Sequence, residues 1–311
     1  RPLTDVSTAF IQSQDAFISM DAAPIVNVNN KSDTYSEYPL EAFMSTSSQK
    51  VEDGDHTPEI DYDTNERVYS TSTEGVHGTV GDEERANADA QFDLESDTTT
   101  QVTRDLMLSK ERDWNDTFFG TGIWDTETDV GTSLDAWDTA NGTPIEDITG
   151  KIETIEARTG FRPNTFISTA PVMRGIMNND NVINRIKFTQ SASARALRNS
   201  ISNVLDVDNV FQARAVINSA QKGENADVGY VNGSDQALLC YLPDSPGLKT
   251  PSAMYTFSWS RALNGQVSDV GIAIRTLRDD KGRADWLEGL LNWQHKVISP
   301  VLGHFFSNAL A

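Results

Sequence analysis

One cysteine, four histidines and nine lysines are all that the 311 residues contain of those types, and each scarcity removes a class of chemistry. Cys240 stands alone, so no intrachain disulfide can form, and its place in "ALLCYL" points to a buried, unreactive thiol. His56, His77, His295 and His304 are scattered, without metal-ligand spacing. No apolar run approaches the roughly eighteen residues that a membrane-spanning helix needs, and the first residues lack the basic-then-apolar pattern of a secretory signal. A water-soluble, non-exported chain is therefore expected. It starts at Arg1 rather than Met, and the expectation is a proteolytic cut that removed a leader.

Catalytic signatures are missing as well: there is no zincin helix, no Walker loop, no G-x-G-x-x-G turn and no G-x-S-x-G elbow. "DYDTNE", residues 61–66, begins like a calcium loop but has Glu66 where the sharp turn needs Gly and Ser72 where a bidentate Glu should lie. It reads as a solvated acidic loop. The close acidic pairs Asp53 with Asp55 and Asp206 with Asp208 sit in polar stretches that offer no apolar pocket to shift their ionisation. The six tryptophans, dispersed at 114, 124, 137, 259, 286 and 293, read as packing residues rather than a carbohydrate platform. No catalytic, metal or cofactor site is expected.

What the chain does have is acid. Its formal net charge is -21, unevenly placed: residues 51–100 hold fifteen Asp and Glu against two Arg, whereas residues 160–220 hold three acids against seven bases. Binding nucleic acid by phosphate neutralisation needs clustered Lys and Arg, so sequence-specific nucleic-acid binding is not expected. With 38% apolar residues the chain can still fill a core.

Along the chain, residues 1–35 alternate short apolar pairs such as Phe10–Ile11 and Phe17–Ile18 with polar links and no sustained period, which suggests an arm that packs against something else. Residues 36–88 are rich in Thr, Ser, Asp, Glu and Gly, too polar to build a core, and read as an extended hairpin loop ordered mainly by neighbours. From Ala90 to Phe119 the four-residue spacing of Val102 with Leu106 and of Trp114 with Phe118 predicts one long helix, stopped by Gly120 and Gly122. The stretch 124–142 reads as a looping connection. At "TPIE" the chain offers a Thr143 cap, Pro144 at the first helical position and Glu146 completing a capping box, and the helix that follows aligns Ile145, Ile148, Ile152 and Ile155. Gly160 should end it, "NTFIST" should be a strand, and Thr169 with Pro171 should open the next helix. "VINRIKF" and "SARALRNSISNVL" read as helical. "NVFQARAVINSA", "DQALLCYLP", "SAMYTFSWSR" and "VGIAIRTLRDD" read as strands, the last turning through Asp280–Lys281–Gly282 into "RADWLEGLLNWQHKVI". The fold class is α+β, with no internal repeat.

"WDTANGTPIEDITGKIETIEARTGFRPNTFISTAPVMRGIMNND" at 137–180, the acidic Thr-rich loop before the long helix, and the tail "KVISPVLGHFFSNAL" together resemble the major capsid proteins of tailed double-stranded DNA phages and related archaeal viruses. The likeness runs from about residue 20 to the end and is most specific in 137–180. It implies the tailed-phage major capsid fold: an N-terminal arm at 1–35, an extended loop at 36–89, a peripheral domain with a long spine helix at 90–129, an axial domain at 130–255, and C-terminal strands at 256–311 returning to the peripheral domain. It also implies a structural, non-enzymatic protein that assembles as hexamers and pentamers into an icosahedral head around viral DNA. Partners would be further copies of itself together with portal, scaffold and decoration proteins. The place would be the virion, after assembly in the host cytoplasm. Some relatives cross-link a Lys of the extended loop to a distant Asn; only Lys50 lies in that segment, and it has no assigned partner.

The charge polarity then marks candidate contacts between subunits. The acidic set is Glu52, Asp53, Asp55, Glu59, Asp61 and Asp63, and the basic set is Arg174, Arg185, Lys187, Arg195 and Arg198. An encapsulin-like nanocompartment shell is the alternative, which a neighbouring cargo-enzyme gene would favour over terminase, portal and protease genes. A soluble hydrolase from a salt-loving organism is a third reading, which lacks any convergent catalytic set.

Overall fold

A computed structural model describes residues 16–37, 44, 46–59, 64–88, 93–186, 201–221, 223–247, 250–259, 261, 266–267 and 272–311. The first half runs β1 (Ile25–Asn27), β2 (Ser32–Glu37), β3 (Asn65–Ser70), β4 (Ser72–Gly81), α1 (Asp82–Asn87), α2 (Leu94–Phe118), β5 (Thr126–Asp129), α3 (Val130–Ser133) and α4 (Pro144–Thr159). The second half runs β6 (Thr165–Thr169), α5 (Ala170–Asn178), α6 (Asp180–Ile186), β7 (Asn209–Ala213), β8 (Val216–Asn218), β9 (Val228–Tyr230), β10 (Ala237–Cys240), β11 (Met254–Ser258), β12 (Gln266–Val267), β13 (Ala273–Asp279), β14 (Ala284–Val297) and β15 (Gly303–Ser307).

β14 organises the first sheet. Its residues Ala284–Trp293 pair with β4, Ala284–Leu290 with β13, and Gln294–Val297 with β11, all antiparallel, and β1 and β12 extend the sheet at its ends. Successive side chains of a strand point to opposite faces, so Leu287, Leu291 and Trp293 share the face that is buried, where Leu291 and Trp293 meet Val102, Leu106 and Met107 of α2. Two glycines set how near the helix lies. A Cβ on Gly289 would stand 2.5 Å from Val102 Cγ1 and 2.9 Å from Leu106 Cδ1, and one on Gly78 of β4 would collide with Thr98.

The second sheet has the order β5-β15-β10-β6-β7. Every residue of β6 and β10 is buried, because both faces are covered. Phe166, Ala237, Leu239 and Phe306 face α4 and α5, packing with Ile145, Ile148, Ile152 and Ile155. Ile167, Leu238, Cys240 and Phe305 face the other way, toward Trp114 and Phe118 at the end of α2.

The stretch with the most specific resemblance proves to be a fastened corner. Trp137 is fully buried and its Nε1 donates to Asp147 Oδ2 at 2.9 Å, tying the turn to α4. The Asn179 side-chain amide donates to the carbonyls of Trp137 and Gly142 at 2.9 and 3.0 Å, and Asn181 donates to Gly142 again. α4 ends at Gly160, which is left-handed at φ 73°, and Pro171 sits in the first turn of α5.

Several expectations change. The capping box at Thr143 does not form: the Thr143 hydroxyl donates to the Asp147 carboxylate, while Glu146 lies 3.8 Å from Arg185. The connection at 124–142 contains a strand, β5, paired in parallel with β15. "NVFQARAVINSA" splits into β7 and β8, and "SARALRNSISNVL" is helical at 201–205, its earlier residues lying outside those described. Segment 256–311 does not stay with one sheet: β13 and β14 join the first, while β15 is inserted between β5 and β10 of the second. Nor are residues 16–23 left for something else to cover: Phe17, Ile18, Ala22 and Ala23 are buried against their own chain's cores. Phe10 and Ile11 lie outside the described residues.

Replacing Gly289 by Ala puts a methyl into the α2 contact and is expected to cost about 1–3 kcal/mol. A urea midpoint equal to that of the parent would show that α2 does not seat as closely as described.

Candidate assembly surfaces

β2 and β3 form a separate two-stranded ladder that packs against β11 of the first sheet. Its root is aromatic: Tyr69 stacks on Phe257 with centroids 4.8 Å apart, and Tyr35 lies 5.7 Å from the same ring. Beyond the root, Arg67 pairs with Glu37 at 2.7 Å, and the described tip residues, 44 and 46–59, are exposed except for Pro58. Polar residues dominate the tip, so it buries little of its own.

The acidic candidates Glu52, Asp53, Asp55 and Glu59 are all on this tip, exposed and without an ion pair among the described residues; Asp61 and Asp63 lie outside those described. Of the basic set, Arg174 is exposed on α5, and Arg185, on α6, reaches Glu146 of α4 at 3.8 Å. Lys187, Arg195 and Arg198 lie outside the described residues. The two sets stand on different bodies, the acids on the hairpin and the described bases on helices beside the second sheet. No described tip acid pairs with Arg174 or Arg185. Lys50 is exposed on the same tip.

The buried ionisable groups are structural. Glu111 is fully buried on α2, and its carboxylate accepts the Ser19 N–H at 2.8 Å, fastening the arm residues to the helix. Burial pushes this carboxyl up and the adjacent Lys110 ammonium down to about 8. His304 bridges β15 to β5, with its ring nitrogens 2.9 and 2.8 Å from the hydroxyls of Thr128 and Thr126, and His295 contacts the Thr256 hydroxyl at 2.9 Å. Burial lowers both histidines to about 3. The Cys240 thiol is buried and pushed well up by desolvation. Four tryptophans, 114, 124, 137 and 293, are buried, whereas Trp286 is 37% exposed and stacks on His77 at 4.5 Å.

Among the described residues no group of three or more His, Cys, Asp or Glu is placed to hold a metal ion, and no helix is long and apolar enough to cross a membrane. An open cleft of about 340 Å³ beside β6 is lined by Arg162, Asn164, Asp206, Asp208 and Asp244. Three of these residues are engaged: Arg162 bridges Glu156 and Asp206, and the Asn164 side chain both accepts from and donates to the Leu242 backbone.

No protein-family model matches the chain, and no curated protein matches it in sequence. Solved structures do match in shape. A phage-related protein from Bordetella bronchiseptica RB50 is 17% identical at TM-score 0.70, over 96% of this chain and 94% of that one. The capsid structure of the cyanophage P-SCSP1u is 13% identical at TM-score 0.65, over 99% of this chain and 92% of that one. This is the tailed-phage capsid fold. The same capsid fold also matches the encapsulin of a holo-SrpI complex from Synechococcus elongatus PCC 7942, at 10% identity and TM-score 0.54, over 99% of this chain and 93% of that one. The tie between Glu111 and Ser19 leaves no signal in the sequence. A buried acid next to a lysine on a polar helix looks like any solvated helical pair.

The buried histidines give a pH dependence with a definite sign. Each binds its proton less readily in the folded chain than the ordinary value of 6.5, so the unfolded state takes up protons first. Stability should then fall as the pH drops from about 6.5 toward 3, by up to roughly 1.4 kcal/mol per pH unit for each histidine; the raised Glu111 carboxyl works in the opposite sense. His304→Gln should flatten the slope of urea stability between pH 4 and 6. An unchanged slope would remove His304 as its source.

Proposed function

We propose that this chain is the structural major capsid protein of a tailed double-stranded DNA phage or related archaeal virus, and that copies of it assemble as hexamers and pentamers into the icosahedral head. The observation that carries this reading is the end-to-end match: the capsid fold takes up nearly all of this chain and nearly all of the capsid chain it superposes on. In this reading β2 and β3 are the extended loop, α2 is the spine helix, the first sheet is the peripheral domain, and the second sheet with α4 and α5 is the axial domain. The virion is its place, the host cytoplasm its site of assembly, and portal, scaffold and decoration proteins its further partners. It has no enzymatic role.

The mechanism is geometric. Each subunit makes several modest contacts, and a closed lattice repeats them until they hold. The acids of the tip, unpaired within the described chain, would meet the basic residues Arg174, Arg185, Lys187, Arg195 and Arg198 of a neighbour. Exposed ion pairs contribute only about 0 to 1 kcal/mol each, so this complementarity would guide register rather than supply the affinity. The net charge of -21 also suits a container for DNA, because a shell that attracted phosphate would hinder its movement.

The encapsulin likeness keeps a cargo compartment as the second reading, and the contents separate the two. Electron microscopy of particles made with the virus's packaging genes should show shells filled with DNA. Shells that exclude DNA and retain a co-expressed enzyme would favour the compartment, and a monomer at every concentration would end both. Reversing Glu52, Asp53, Asp55 and Glu59 to Lys should leave the melting temperature unchanged and sharply lower particle yield; a normal yield would free the tip acids from any role in register.

A further inference from the structure

Four consecutive residues of β14, Trp293 to Lys296, grip two bodies in alternation. Trp293 and His295 face α2: Trp293 Nε1 donates to Asp113 at 2.7 Å, and the His295 ring lies 5.7 Å from that of Phe118. Gln294 and Lys296 face the hairpin. Gln294 Oε1 accepts the Ser70 N–H at 2.7 Å, and Lys296 Nζ donates to the Val68 carbonyl while lying 5.7 Å from the centroid of the Tyr35 ring. Val68 and Ser70 are alternate residues of β3, so both backbone groups lie on one edge of the strand, the edge that β2 does not use.

A free two-stranded ladder is at best marginal in water, and a small rotation at its root sweeps the tip through a wide arc. Here the root is fixed to the sheet in two ways: by the Tyr69–Phe257 stack and by the Gln294 and Lys296 bonds. The side-chain bonds also occupy an edge that would otherwise accept a stray strand. A contact made by a pre-positioned element forfeits less orientational freedom on binding.

We propose that Gln294 and Lys296 are positioning residues that set the tilt of the β2–β3 hairpin within the single subunit, so that its tip arrives already aimed at the neighbouring copy. The positioning role rests on the capsid reading; the fixed tilt does not. The lock reaches the hairpin from the strand that also holds α2, so the direction of the loop is tied to the long helix rather than to solvent or to a neighbour.

Pulsed electron paramagnetic resonance on the unassembled subunit tests the tilt directly. Spin labels would be placed at Glu66→Cys on β3 and Arg112→Cys on α2, both exposed, and the buried Cys240 leaves only these thiols to react. The parent should give one narrow distance distribution, and Gln294→Ala with Lys296→Met should broaden it while the melting temperature is kept. The Ser70 amide should exchange its hydrogen about tenfold faster in the same variant, and Lys296→Arg should restore the narrow distribution. An unchanged distribution overturns the lock. A broadened distribution with normal particles by electron microscopy overturns the positioning role. A parent chain that forms no particles overturns the capsid reading and the positioning role with it, and the distances still decide the lock.

Discussion

The rest of the architecture depends on the close seating of α2 on the long sheet. Gly78 and Gly289 remove the side chains that would hold the helix away, so Val102 and Leu106 meet the backbone of β14 directly. Interiors packed to crystal-like density transmit such contacts with little give. Along one face α2 packs the first sheet with Val102, Leu106 and Met107, and at its end it offers Trp114 and Phe118 to the back of the second sheet. Between these lie Lys110 and Glu111, which take hold of residues 18–21. One helix therefore joins both sheets and the arm, and a shift in its seating would move all three.

β14 is the counterpart of α2. It pairs with three strands along its length and then uses its last residues as an alternating clamp between the helix and the hairpin. The result is a subunit with a stiff centre and an exposed, acidic projection whose direction is inherited from that centre. In the proposed function the stiff part would carry stability, and the projection would carry weak contacts that count only when repeated.

Much of this was legible in residue pattern. The isoleucines of α4 recur at helical spacing because one face is buried, Gly160 ends the helix because a left-handed residue suits glycine, and the turn at Asp280–Gly282 does join β13 to β14. β5 was not legible. "TETD" has no apolar alternation, and it is a strand only because β15, some 180 residues later, supplies its ladder. The capping box failed because Asp147 offered the Thr143 hydroxyl a partner that also holds Trp137. At the assembly surfaces, the exposure of the tip acids could be read from composition. The hold of Gln294 and Lys296 could not, since polar residues alternating along a strand normally signal a solvent-facing side.

By itself the sequence determined the local quantities: where helices start and stop, which strands run apolar on both faces, where the acid collects, and that no disulfide or spanning helix contributes. These follow from nearest-neighbour sterics and from spacing along the chain. Only the tertiary structure decided that the last strand crosses back to the second sheet, that residue 19 is held by a buried glutamate, and that Gln294 and Lys296 bond the backbone of the hairpin. Each of these depends on groups brought together from distant positions, and a pattern along the chain carries no record of which partner will be there.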